Sequence, residues 1–428
     1  MRTGESKTLH PFYIFTGLLV LLVTARWIIP PLLNLPHFGD EIVNIEAAAR
    51  FFTELNFTSH AVAEPFDPRI STGIASAWAG GVGWLLTHEL VFARLASVLW
   101  SFCLVFFSAY FYFRSLGRHR SSSFVGGILV WALVQKIPYF SGYIYNLGEL
   151  NAAALIALGA VFYRRFPFVS SVLMGVGVWM GKFIYLPIAG SFILASLFSK
   201  WSRPAFLKSI AFLLPFAAWW CLIVAQFGFD YGWKWLASFV GFLKHGNSGV
   251  DSAPRSIGLV DRLQDTRLEW VHYEPILKLK ILVLLFSAFG VSLFFLIRGT
   301  RRSFSQIFSG FSIGLLLFYS TWYFLWHPFM WIRHLQPVLY FAFTILFVSL
   351  SRWILSRWDQ FRDSAFSARR FSSYLNLLAA GLGLMIAGAT YIQWRESVTE
   401  AVSTGAYAPK CVDDLNSLAC SPVNSVAQ

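Results

Sequence analysis

The apolar residues of this 428-residue chain lie in long, nearly uninterrupted blocks, and this grouping constrains its fold more than any other feature. The blocks are 15–25 residues long, and a helix of about 20 apolar residues crosses the hydrocarbon core of a bilayer. Only 13% of the residues are charged, whereas soluble proteins have about a quarter. We therefore expect an all-α polytopic membrane protein with about eleven transmembrane helices.

The blocks give the positions of the predicted spans. The first block is too long for the apolar region of a signal peptide and is not followed by a small-residue cleavage site, so it is interpreted as a span. The 32-residue stretch 167–198 is basic on both sides and is interpreted as a hairpin of two short spans that turns near Gly181 and Lys182. The predicted spans are 11–33, 89–113, 122–138, 147–163, 168–181, 184–198, 206–228, 276–297, 305–326, 334–351 and 372–393.

Basic residues are concentrated in alternate loops. Six segments on one side of the predicted membrane hold 18 of the 34 Lys and Arg residues but only 3 of the 21 acidic residues. Because basic loops remain cytoplasmic, we expect the N-terminus inside and the C-terminus outside. The net charge of +13 therefore reflects the orientation in the membrane. The sequence lacks the basic stripe with interleaved aromatic residues that is typical of nucleic-acid-binding proteins, so nucleic acid is not expected as a partner. The six segments are 1–10, 114–121, 164–167, 199–208, 298–304 and 352–371.

Two long loops are predicted on the outer side, at 34–88 and 229–275. Residues 41–55 have apolar side chains at helical spacing, and the second loop begins with an aromatic amphipathic pattern. The sequence therefore predicts one transmembrane domain, 1–394, with both loops forming a cap over an active site. A short non-cytoplasmic tail, 395–428, follows this domain.

Ionisable residues in or beside the spans lie at one membrane boundary. Such residues are costly in a membrane and often mark functional sites. Cations there could hold a phosphate, and a nearby carboxylate could accept the proton of an attacking hydroxyl. The simpler alternatives are headgroup anchors for the cations and helix N-terminal charges for the acids. The residues at the predicted outer boundary are Asp40, Glu41, Arg94, Lys136, Glu149, Lys182 and Arg333, and Arg69 lies in the first predicted outer loop.

A divalent metal and a disulfide are further hypotheses. His37 precedes Asp40 and Glu41, and imidazole with carboxylates suits zinc or manganese, although the predicted chemistry does not require a metal. Cys411 and Cys420 lie in the predicted outer tail, where a disulfide is permitted. Two free thiols in the tail remain the alternative.

Six short motifs occur one after another between about residues 10 and 350, and both their residues and their order are informative. Together they resemble the membrane glycosyltransferases of the C superfamily (GT-C), which use polyprenyl-phosphate sugars. Lipid A aminoarabinose transferases and protein O-mannosyltransferases are the most similar classes. The motifs are Gly39–Glu41, Pro65–Gly73, Phe92–Leu95, Leu147–Leu150, Gly181–Lys182 and Trp331–Pro337.

The resemblance implies roles for the carboxylates. Asp40 would be the general base that deprotonates the acceptor, and Glu41 would be a supporting or metal-binding carboxylate. Glu149 would bind hydroxyl groups of the sugar or the acceptor. Direct displacement of the lipid phosphate would invert the anomeric centre.

The resemblance also implies roles for the cations. Arg69 would bind the donor phosphate, with Lys182 and Arg333 assisting, and Arg94 would contact the substrate. The donor would be a sugar linked to undecaprenyl phosphate in a bacterial inner membrane, or to dolichyl phosphate in an endoplasmic reticulum membrane.

Departures from these classes leave the sugar and the acceptor open. Asp67, Pro68 and Arg69 replace the lysine-diproline of the aminoarabinose enzymes, and the His-Pro-Pro loop of the O-mannosyltransferases is missing. The acceptor could be a lipid, a glycan or a protein. Two alternatives to this function are a polymerase or ligase that uses lipid-diphosphate-linked glycan, and a non-enzymatic lipid-sugar flippase or transporter.

Overall fold

The protein is mostly helical, and the described residues contain no strand. Buried apolar side chains from most of its helices form one large core cluster. The computed structural model describes residues 39–62, 64–70, 72–115, 120–134, 148–163, 165–186, 210–244, 260–261, 275–298, 312–325, 332–335, 338–342 and 344–346, with single helical positions at 17, 20, 21, 28 and 32.

The first of the two loops predicted on the outer side contains two helices, α1 (Gly39–Glu54) and α2 (Ile74–Thr87). Acidic residues in the first turn of α1 interact favourably with the helix dipole. The two helices pack closely: a Cβ atom added to Gly81 of α2 would lie 2.6 Å from the Cβ of Ala48 in α1. The helical spacing of apolar residues at 41–55 predicted the first of these helices.

The longest helix is α3 (Leu90–Ser115), which forms a hairpin with α4 (Arg120–Val134). Aromatic side chains of α3 fill the space above two glycines of α4. A Cβ atom on Gly126 would lie 2.7 Å from the ring of Phe113, and one on Gly127 would lie 2.8 Å from the ring of Phe106. The glycines therefore allow the two helices to approach closely.

A second hairpin consists of α5 (Glu149–Phe162) and α6 (Pro167–Gly175). After Gly175 the chain continues as a π-helix, Val176–Gly181, then becomes extended at Lys182 and forms a short 3₁₀ turn, Phe183–Tyr185. The helix therefore ends where the sequence predicted a hairpin turn. The predicted second half of the hairpin is 184–198, of which residues 187–198 lie outside the described residues.

The rest of the described chain is also helical. A 3₁₀ turn (Ala211–Leu213) leads into α7 (Leu214–Phe227), and α8 (Phe229–Lys244) packs back against α7. The remaining elements are α9 (Pro275–Arg298), a π-helix (Leu315–Tyr319), α10 (Ser320–Leu325) and a 3₁₀ turn (Ile332–Leu335).

One described helix, α3, is both long and apolar enough to cross a membrane. It has 26 residues and a mean hydropathy of 2.1 over its most apolar part. Several shorter apolar helices coincide with predicted spans, among them α5 and the segment Pro167–Gly181. An all-α fold is therefore confirmed, and the predicted number of spans and their orientation stay predictions.

Candidate functional site

Glu149, the first residue of α5, lies at the centre of a buried polar cluster. Its side chain is 1% exposed, and its Oε1 lies 3.3 Å from Lys182 Nζ and 3.6 Å from His334 Nε2. Both partners are also buried. Lys182 Nζ donates a hydrogen bond to Thr72 Oγ1 at 2.7 Å. Residues from four separate parts of the sequence therefore meet at one point, which we call the Glu149 cluster: Thr72, Glu149, Lys182 and His334.

The carboxylate of Glu149 has unused capacity to accept hydrogen bonds. Within the described part of the chain, neither of its buried oxygens accepts one. Lys182 and His334 lie within ion-pair distance but are not aligned for hydrogen bonds. A buried acceptor left unsatisfied costs about 1–3 kcal/mol, and more when charged. The cluster is therefore chemically suited to a ligand that brings hydrogen-bond donors, such as a sugar hydroxyl.

A tight backbone contact positions Lys182. The N–H of Gly73 donates to the carbonyl of Gly181 at 2.9 Å, beside an antiparallel bridge between Thr72 and Lys182. A Cβ atom on Gly73 would lie 2.3 Å from the carbonyl oxygen of Met180, so only glycine fits. This contact joins the residues just before α2 to the end of the π-helix.

The backbone conformation of Gly148 positions Glu149. Gly148 has φ +83°, a left-handed conformation that disfavours other residues. A Cβ atom there would also lie 2.6 Å from Thr72 Cγ2. Ser76 Oγ donates to the Gly148 carbonyl, and Tyr185 OH donates to the Glu149 carbonyl at 3.2 Å. Both sides of the helix start are therefore held by neighbouring elements.

His334 is a site residue that the sequence reasoning missed. In the motif Trp331–Pro337, the sequence predicted Arg333 as the site residue, and the side chain of Arg333 lies outside the described residues. His334 is 5% exposed, and its carbonyl accepts a hydrogen bond from Tyr319 OH. The signal that could have identified it was a histidine inside a motif already singled out for its arginine.

Glu41 and Arg94 form a separate, fully buried ion pair. Arg94 Nε donates to Glu41 Oε1 at 2.7 Å, and Nη2 donates to Oε2 at 2.8 Å. The side chains are 0% and 3% exposed, and Arg94 Nη1 also reaches the Leu32 carbonyl at 3.4 Å. The predicted supporting carboxylate and the predicted substrate-binding arginine therefore bind each other and connect α1 to α3.

The predicted base and the predicted phosphate ligand are more accessible. Asp40 is exposed in the first turn of α1, next to Glu41. Arg69 has a side chain that is 59% exposed, and its Nε and Nη2 donate to Asp67 Oδ2 at 2.9 and 2.6 Å. The hydrogen bonds to Asp67 raise the pKa of Arg69, so this side chain remains charged. Arg69 thus contacts Asp67 and not the Glu149 cluster.

Aromatic residues of α8 hold the loop that carries Arg69. Tyr231 OH donates to the Pro65 carbonyl at 2.6 Å, and Trp235 Nε1 donates to the Phe66 carbonyl at the same distance. Burial raises the pKa of Tyr231, and the carboxylates of Glu64 and Asp67 raise it further, so its hydroxyl remains a donor. The two predicted outer loops therefore contact each other.

The metal and disulfide hypotheses fall largely outside the described residues. His37, Cys411 and Cys420 are not among them. Within the described ranges, no group of three or more His, Cys, Asp or Glu side chains could hold a metal ion. Cys103 and Cys221 are described, and both are free.

Fold and site together define a helical protein with a membrane-length helix and a buried acid–base cluster. Comparison with protein-family models, with curated proteins and with solved structures gives no match.

Proposed function

We propose that the protein is a multi-pass membrane glycosyltransferase of GT-C type that transfers a sugar from a polyprenyl-phosphate donor to an acceptor at the non-cytoplasmic face. The observation that carries this proposal is the Glu149 cluster, in which acidic and basic residues distant in sequence meet. The resemblance to polyprenyl-phosphate-dependent enzymes supplies the reaction class. A bacterial inner membrane is the proposed location.

The spacing of charges along α3 and α5 supports the proposed topology. Arg94 and Arg114 are 20 residues apart in α3, which corresponds to about 30 Å of helix and to the thickness of a bilayer core. Glu149 and Lys182 meet at one end of the α5–α6 hairpin, whereas Arg165 lies at its other end. The cytoplasmic side would therefore hold Arg114 and Arg165.

The proposed reaction is a direct displacement at the anomeric carbon. An acceptor oxygen forms a bond to this carbon while the bond from carbon to the phosphate oxygen breaks. The leaving polyprenyl phosphate takes the electron pair, and Asp40 takes the acceptor proton. Arg69 neutralises the phosphate charge, because its guanidinium is exposed on one side and oriented by Asp67 on the other.

The Glu149 cluster would recognise the sugar or the acceptor. Hydroxyl groups would donate to the carboxylate oxygens of Glu149, which accept no hydrogen bond from the described residues. Lys182, held by Thr72 and 3.3 Å from Glu149, would assist in binding the phosphate, as Arg333 would.

Mass spectrometry of lipids that copurify with the protein tests the donor class directly. A polyprenyl-phosphate sugar should be enriched over its share of the membrane extract, and its mass would identify the sugar. Copurification of lipid-diphosphate-linked glycan instead would favour a polymerase or ligase and contradict the proposal.

Asp40→Asn tests the proposed base once the donor is known. Loss of a general base lowers rates by about 10²–10⁴-fold, while donor binding should remain nearly intact. Glu54→Gln is the matched control, because Glu54 is an exposed acid at the other end of α1. Full turnover by Asp40→Asn would exclude Asp40 as the base.

A further inference from the structure

A second candidate site lies at the C-terminal ends of α3 and α5, whereas Glu149 begins α5. It is a cavity of about 690 Å³ between the end of α3, the start of α4 and the end of α5. Ligand pockets in proteins commonly have volumes of about 300–1,000 Å³. The lining residues are Tyr110, Phe111, Arg114, Ser115, Arg120, Val161, Phe162 and Arg165.

Three arginines give this cavity a concentrated positive charge. Arg120 and Arg165 are exposed, and Arg114 is half-buried. None of the described residues that line the cavity is acidic. Arginine presents a planar fork of donors that matches a phosphate, and its guanidinium is more weakly hydrated than an ammonium group. The charged part of the cavity therefore suits a phosphate group.

The rest of the cavity wall is aromatic and apolar. Phe111 lies 5.1 Å from Phe162 and 5.2 Å from Tyr110, measured between ring centroids, so the rings form a continuous surface. Arg165 also lies 5.3 Å from the ring centroid of Phe166. A free inorganic anion would leave the aromatic surface unused, whereas a ligand with an apolar chain would cover it.

The position of the cavity along α3 indicates where such a ligand would come from. Arg114 lies about 30 Å along the helix from Arg94, one bilayer core away from the Glu41–Arg94 pair. The cavity would thus lie at the membrane boundary opposite the proposed active site. We propose that this cavity, which we call the arginine cavity, binds the headgroup phosphate of an anionic phospholipid, with an acyl chain against its aromatic wall.

The test measures retention of phosphatidylglycerol by native mass spectrometry of the full-length protein in detergent, titrated with phosphatidylglycerol or phosphatidylcholine. We expect phosphatidylglycerol to bind at least tenfold more tightly than phosphatidylcholine. Arg114→Gln/Arg165→Gln should abolish this preference. Arg50→Gln/Lys234→Gln, which also removes two positive charges, should keep it.

Two further measurements separate this site from its alternatives. Inorganic phosphate at millimolar concentration should not displace the lipid, and displacement would identify a free-anion site instead. Equal binding of the two lipids, or equal loss of binding in both double variants, would overturn the proposal. Because Gln could perturb folding, Arg114→Lys/Arg165→Lys serves as a second variant: it keeps the charge, and it should retain weaker but still selective binding.

Discussion

The buried pair of Glu41 and Arg94 permits a quantitative test of how α1 is attached to α3. Replacing Arg94 by Met leaves the carboxylate of Glu41, which is 0% exposed, without the guanidinium that satisfies both of its oxygens. Removing one partner of a buried ion pair typically costs about 3–5 kcal/mol. Glu41→Met should cost a similar amount, because it leaves the guanidinium buried without its carboxylate.

The double variant Glu41→Met/Arg94→Met should regain most of the lost stability. Replacing a whole buried pair by apolar side chains of similar volume is often neutral or stabilising, by about 1–4 kcal/mol. Each kcal/mol changes the melting temperature by roughly 2 °C in a larger domain. We therefore expect each single variant to melt roughly 6–10 °C below the wild type, and the double variant to melt no more than roughly 3 °C below it.

Loss of monodisperse protein after heating in detergent, followed by size-exclusion chromatography, measures these shifts. Arg50→Met is the control, because the side chain of Arg50 is 40% exposed and its i,i+4 pair with Glu46 should contribute less than about 1 kcal/mol. A double variant as unstable as the sum of its single variants would refute the argument. A double variant that is stable but transfers no sugar would instead indicate that Glu41 or Arg94 takes part in the sugar-transfer reaction.

Three further outcomes follow from the site geometry. Gly148→Ala should lower the melting temperature more than Gly241→Ala, because Gly148 has φ +83° and its added Cβ would lie 2.6 Å from Thr72 Cγ2, whereas a Cβ on Gly241 in α8 would have nothing within 4 Å. Arg69→Ala should weaken binding of the lipid donor by about tenfold or more, which corresponds to about 1.4 kcal/mol. Arg69→Lys should lose less of this affinity. Unchanged affinity of Arg69→Ala in a donor titration would reject the role of Arg69 in phosphate binding. Lys182→Met should destabilise the protein by leaving Glu149 uncompensated, and adding Glu149→Gln should recover part of the melting temperature; no recovery would argue against their coupling.

Helix positions could be predicted from the sequence because apolar blocks and their spacing are local properties. The predicted span 89–113 corresponds to α3, and the predicted span 147–163 contains α5. The π-helix Val176–Gly181 could not be predicted in this way. Its wider winding depends on contacts such as the approach of Gly177 to Ile156 in α5, which are set by tertiary packing.

The composition of the site was partly predictable, but its pairing was not. Acidic and basic residues at the ends of apolar blocks predicted that Glu149 and Lys182 would share one boundary, and they lie in contact. Spacing could not indicate that Glu41 would bind Arg94, 53 residues away, instead of facing a substrate. Partner choice among buried charges depends on which helices touch, and sequence periodicity does not contain this information.

The buried carboxylates of the Glu149 cluster and of the Glu41–Arg94 pair differ in their hydrogen bonding. In the pair, both carboxylate oxygens accept hydrogen bonds from one guanidinium, so the charges satisfy each other. In the cluster, Glu149 is equally buried, yet its oxygens accept no hydrogen bond from the described residues. A protein under selection for stability alone would replace or satisfy such a carboxylate, because its burial is costly. Under the proposed function, a ligand supplies the missing donors. Replacement of Glu149 by Gln should therefore affect substrate binding more than replacement of the better-bonded Glu41.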